Sequence, residues 1–170
     1  DAVFVMIGGN DAVSYSMPAA RPYYKSAKDV PDGIVTPEHF ERSYRAVLTH
    51  IQLAHAQALV GLAPSEYNAD LIAAVKRFNA IARDLADGLR VPVLDLASRY
   101  IPHKPVERSP VDIRFIQQIG VNVSQGWQDY ESERARWGYT YSFDGMHLLP
   151  ETATEFGQHI TDFLREHLSL

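Results

Sequence analysis

Val3-Phe4-Val5-Met6-Ile7-Gly8-Gly9-Asn10-Asp11 joins five apolar residues to four turn formers. A short apolar run rich in β-branched residues and closed by Gly, Asn and Asp reads as a buried strand, residues 2–7, entering a tight turn. Further along, Thr36-Pro37-Glu38 is a helix start: a capping hydroxyl, proline at the first helical position and an acid in the first turn. Phe40, Tyr44, Val47, Leu48 and Ile51 follow at helical spacing. A second apolar run, Ala58-Leu59-Val60-Gly61-Leu62-Ala63, stops at Pro64. Asn68 is placed to cap the next helix, whose apolar face is Leu71, Ile72, Val75, Phe78, Ala82 and Leu85, with Gly88 at its end. Val91 to Leu96 is a third strand. Strands alternating with helices over short joints predict βαβ units and an α/β fold with a parallel sheet between helix layers.

Two segments depart from this alternation. Residues 12–36, with three prolines and with Tyr15, Tyr23, Tyr24 and Lys25, read as a long irregular loop, a feature often functional in compact domains. Residues 97–140 read as an insertion over the sheet end, either a lid or simple packing. Within it, Ser109-Pro110-Val111-Asp112 resembles a capping box ahead of a stripe of Ile113, Ile116 and Ile119. Gly120 is expected to end that helix, and a second short helix is expected from Trp127 to Trp137. A final helix starts at Pro150, with Ala153, Phe156, Ile160, Phe163, Leu164 and Leu168 on one face.

Composition narrows the function classes. The length of 170 residues suits one domain, and 46% hydrophobic with 22% charged residues is ordinary for a globular protein. The net charge of −5, with no basic stripe, argues against a sequence-independent grip on nucleic acid. There is no cysteine, hence no disulfide or thiolate metal site. No apolar run approaches the ~18–20 residues of a transmembrane helix. The compartment stays open, since any signal peptide would lie upstream of Asp1. No Gly-x-Gly-x-x-Gly or phosphate-loop lysine follows a strand, which weighs against a nucleotide-binding domain.

Two clusters are candidates for chemistry. Functional groups in parallel sheets collect where strands end, as Gly8-Gly9-Asn10-Asp11 does. The glycines permit a sharp turn and close ligand approach, and the asparagine amide is suited to a developing oxyanion; the same residues are equally the usual turn formers. Asp144-Gly145-Met146-His147 precedes the last helix. A carboxylate on one ring nitrogen fixes a histidine tautomer and stabilises its charged form. The other reading is an Asp-Gly turn beside an incidental histidine.

Together, in this order and context, the blocks make the chain resemble the SGNH/GDSL serine hydrolases. Gly8, Gly9, Asn10 and Asp11 match the family's Gly-x-Asn-Asp block, and Asp144 and His147 match its Asp-x-x-His block. The resemblance implies a flavodoxin-like three-layer α/β/α fold and acyl or acetyl ester hydrolysis without metal or cofactor. It makes His147 the general base, Asp144 its orienting partner and Asn10 an oxyanion donor, with Gly8, Gly9 and Asp11 shaping the turn. The substrate would be a small-molecule, carbohydrate or lipid ester. The family's Gly-Asp-Ser nucleophile block is missing from the 170 residues. Ser14, Ser16, Ser98 and Ser142 lack its context, and none sits in a Gly-x-Ser-x-Gly elbow. The expectation is therefore an upstream segment that carries the serine and covers the edge of strand 2–7, the first strands of the fold lying outside this chain. The rival reading is a binding module that kept the fold and lost the nucleophile. Tyr15, Tyr23, Tyr24, Trp127 and Trp137 are expected to serve as packing or loop anchors rather than as a substrate lining.

Overall fold

A computed structural model describes residues 1–107 and 113–168. Three parallel strands, β1 (Ala2–Val5), β2 (Gln57–Leu62) and β3 (Val93–Asp95), lie in the order β1-β2-β3. Phe4 is in register with Leu59, and Val5 with Val60. Val60 pairs in turn with Val93. Side chains alternate across a strand, so Val5, Ala58, Val60 and Leu62 enter the main core on one face. That face is covered by α3 (Pro37–Leu53) and α4 (Ala69–Gly88) through Phe40, Tyr44, Leu48, Leu71, Val75, Phe78 and Ala82. On the opposite face Phe4 meets Phe163 of α8 (Pro150–His167), ring centroids 6.2 Å apart. The fold is α/β, with helices on both faces of a parallel sheet.

The caps follow sequence logic. Thr36 Oγ1 accepts from His39 N at 3.2 Å, and Asn68 Oδ1 accepts from Leu71 N at 2.9 Å. At the end of α4 the left-handed residue is Arg90 (φ 56°), not Gly88. Arg90 N donates to Asp87 O and Val91 N to Ala86 O, which satisfies the last carbonyls of the helix.

Residues 12–36 are not an irregular loop. They form most of α1 (Gly9–Ser16), a 3-10 turn (Pro18–Ala20), α2 (Arg21–Ala27) and a second 3-10 turn (Pro31–Gly33). The three prolines sit in the first turn of their elements, where the missing N–H is harmless, so they start helices rather than break them. The buried residues Val13, Met17, Ala20 and Tyr24 recur at helical spacing.

In residues 97–140, α5 (Ala97–Tyr100), α6 (Ile113–Ser124) and α7 (Tyr130–Trp137) form. Gly120 does not end α6, which continues to Ser124. The short helix begins at Tyr130 instead of Trp127. The expected start at Ser109-Pro110-Val111-Asp112 and the side chains of Ile113 and Ile116 lie outside the described residues, while Ile119 is buried against Phe143 and Leu149. On α8 the buried positions are Thr152, Phe156 and Phe163; Ala153, expected on that face, is exposed. No described helix is long and apolar enough to cross a membrane.

Candidate active site

The first half of the site is built where β1 ends. Gly8 caps α1 at φ 115°, a left-handed conformation that L side chains rarely adopt, and an added Cβ would come 3.2 Å from the Phe40 ring. The strand, expected over residues 2–7, ends at Val5, and after Met6 and Ile7 the turn at Gly8 starts α1, so Gly9 and Asn10 are the first two residues of the helix. A Cβ at Gly9 would meet nothing within 4 Å; this glycine opens onto a cavity. Asp11 points elsewhere, into a groove with His39, Phe40 and Tyr44, and burial raises its pKa. Ser14 is locked in the interior, donating to Asp11 O and accepting from Val35 N.

The second half is a tight loop running from Tyr139 to Leu149. Its ends are pinned by Phe143 N to His147 O, Leu149 N to Tyr141 O and a bridge between Ser142 and Leu148. Gly145 turns at φ 85°, and an added Cβ would lie 2.8 Å from both Tyr139 and the Tyr67 backbone. Asp144 is 1% exposed. Its Oδ1 accepts from Met146 N at 3.0 Å and His147 N at 2.7 Å, while Oδ2 lies 2.7 Å from His147 Nδ1. The two side chains therefore meet through the ring. The Asp144 hydrogen bond stabilises the imidazolium and raises the His147 pKa above its ordinary value, outweighing the opposite effect of burial. Phe143 stacks on the imidazole, with centroids 5.9 Å apart and planes 17° from parallel. With Nδ1 committed to Asp144, Nε2 is the ring atom left for exchange with a ligand.

Both halves face one cavity of about 440 Å³. Asn10 and His147 line it with Gly9, and Val13, Leu71, Val75 and Met146 supply apolar wall. Lys28 and Tyr23 also contribute, and α6 closes part of the rim through Gln117 and Gly120. Gly9 and His147, about 140 positions apart in sequence, thus line one cavity together with Asn10, while Gly8 and Asp144 stand behind it, starting α1 and holding the imidazole. Ser65 is the serine that lines this cavity among the described residues. Its hydroxyl contacts Gly145 O at 3.5 Å and Tyr67 N at 3.3 Å, not the imidazole. Among the described residues no group of three or more His, Asp or Glu gathers as a metal ion requires.

The aromatic residues divide between the two roles weighed for them. Tyr15 packs edge-on against Phe78, and Trp127 against Tyr130 and Phe143, both as anchors. Trp137 packs against the core and donates Nε1–H to Glu133. Tyr23 and Tyr24 line the cavity. Tyr24 goes further: its hydroxyl donates to Asn10 Oδ1 at 2.8 Å. Burial, aided by Tyr23 and Asp11, pushes its pKa up to about 12, so the donor proton stays in place. The sequence signal for this contact was the spacing Val13, Met17, Ala20, Tyr24, which puts Tyr24 on the buried face of a helical segment packed under the Asn10 turn.

A comparison with curated proteins and with solved structures gives no match. The family model described as GDSL-like Lipase/Acylhydrolase matches residues 1–160. Covering nearly the whole chain, from the strand ahead of the Asn10 turn to the helix behind His147, that match makes this chain a member of the GDSL-like lipase/acylhydrolase family.

Proposed function

We propose that this chain supplies the oxyanion donor and the general base of a serine ester hydrolase. The observation that carries the reading is the shared cavity: Asn10, polarised by Tyr24, and His147, held by Asp144, open onto one space. In the proposed cycle a serine hydroxyl attacks the ester carbonyl and His147 Nε2 takes its proton. The tetrahedral oxyanion receives a hydrogen bond from the Asn10 amide. Collapse breaks the C–O bond, and the proton on Nε2 passes to the leaving alkoxide, releasing the alcohol. Water, deprotonated by the same nitrogen, then attacks the acyl-serine; the acid leaves and the serine hydroxyl is restored.

The serine comes from a segment upstream of Asp1. The unpaired side of β1 supports this: among the described residues it is the edge of the sheet, carrying the exposed Val3 and followed by the exposed Ile7, and an apolar edge calls for cover. The acyl group of the substrate occupies the apolar wall.

The test is fluorophosphonate labelling of the native preparation, followed by intact mass and peptide mapping. The reading expects an adduct on a serine upstream of Asp1, lost in His147→Ala although that variant remains folded. An adduct on Ser65 would place the nucleophile in this chain. Full labelling and turnover in a folded His147→Ala would overturn the proposal. A folded protein that takes no label would instead be a binding module on the hydrolase fold.

A further inference from the structure

The turn after β2 carries a buried carboxylate with no part in the chemistry above. Glu66 is 3% exposed. Its Oε2 accepts from Thr140 N at 2.8 Å, and its Oε1 accepts from Tyr141 N at 2.9 Å, Ser142 N at 2.8 Å and Ser142 Oγ at 2.7 Å. Three consecutive amides thus converge on one side chain from 74 to 76 positions away. The hydrogen bonds continue past it. Ser142 Oγ, while donating to Glu66, accepts from Gly145 N at 3.0 Å, and Gly145 lies between Asp144 and His147.

We propose that Glu66 is a positioning residue for the His147 base. The role rests on the reading of His147 given above. Burying a carboxylate is costly unless its lone pairs are filled, and a loop could be pinned at lower cost by apolar packing. A carboxylate does what packing cannot. As an acceptor-only group it addresses amides with both oxygens, fixing the peptide planes of residues 140–142. Those planes set the start of the loop that delivers Asp144 Oδ2 to His147 Nδ1. Glutamine, of the same shape, would have to turn an NH₂ toward one of the amide donors. Small displacements of a catalytic group lower turnover steeply, by about a hundredfold for 1 Å.

The experiment compares wild type, E66Q and S142A in the complete protein. Circular dichroism checks the fold, NMR follows the His147 Nδ1 proton, and p-nitrophenyl acetate gives kcat and KM. For E66Q the expected result is a folded protein whose His147 Nδ1 signal moves upfield or is lost to exchange. Its kcat falls about ten- to a hundredfold with KM nearly unchanged. S142A, which removes the bridge to Gly145 without changing charge, should move the same signal in the same direction. A folded E66Q with an unmoved His147 signal and wild-type kcat would overturn the assignment. Where E66Q does not fold, an unmoved signal in S142A does so. The NMR readout needs no turnover: an inactive wild type would sink the esterase reading, while the His147 signal would still decide the role of Glu66.

Discussion

Tyr24 donates its hydroxyl proton to Asn10 Oδ1 across 2.8 Å. The carbonyl end of the amide is thereby occupied, which fixes the side-chain plane and leaves the NH₂ end for the cavity. Tyr24→Phe removes only this bond, typically about 1 kcal/mol, so kcat should fall roughly fivefold at little change in KM. Steady-state kinetics on a p-nitrophenyl ester would check it. Wild-type kcat would mean the amide is oriented without Tyr24.

Asn10 itself should matter far more. Loss of one oxyanion donor costs ~3–4 kcal/mol in the transition state, a hundred- to thousandfold in rate. Asn10→Ala should show this in kcat with only a small fall in unfolding temperature, since the side chain is exposed at a cavity and its structural loss is confined to the hydrogen bond from the buried Tyr24 hydroxyl. A loss seen only in KM would reassign Asn10 to ground-state binding.

The Asp144–His147 bond sets a pH dependence. The proposed base, His147, would work when neutral, and Asp144 raises the pKa of its imidazole, so activity should rise with pH through a value above the ordinary ~6.5 of histidine. Asp144→Asn removes the stabilised cation: the acidic limb should move to lower pH while kcat drops by up to about 10⁴-fold from loss of the correct tautomer. Stability follows the opposite direction. A raised folded-state pKa contributes fully below about pH 6.5 and is lost as pH rises through the folded value. The destabilisation of His147→Ala should thus be largest in mild acid and fade toward alkaline pH, as followed by thermal melts across pH.

Gly145 is the backbone element that brings the pair together. With φ at 85° and contacts of 2.8 Å awaiting a Cβ, Gly145→Ala must shift the loop or Tyr139. Strain of this kind costs about 1–3 kcal/mol, or roughly 3–8 °C in unfolding temperature for a domain of this size. Activity should fall with it. An active variant with a wild-type melt would show that Tyr139 yields freely.

Much of this arrangement was written along the chain. Local rules sufficed for the three strands, for the caps at Thr36 and Asn68, and for the last helix at Pro150, because each depends on neighbours a few residues away. The family membership was legible too, through two short blocks in their strand and helix contexts. Residues 12–36 misled for a physical reason: proline suits the first turn of a helix as well as a loop, and only burial of Val13, Met17 and Tyr24 decides between them. The same holds at the end of α4, where the C-terminal hydrogen bonds placed Arg90 in the left-handed conformation usually given to glycine.

The sequence by itself determined the α/β alternation, the turn at Gly8 and the two blocks holding Asn10, Asp144 and His147. Tertiary structure alone decided that Tyr24 grips Asn10, that Asp144 meets His147 through Nδ1, and that Glu66 holds residues 140–142. A hydrogen bond to Tyr24 or Glu66 has no periodicity and no fixed spacing. It exists only once parallel strands have carried the ends of β1 and β2 to the same edge of the sheet, where residues far apart in the chain are the ones within reach.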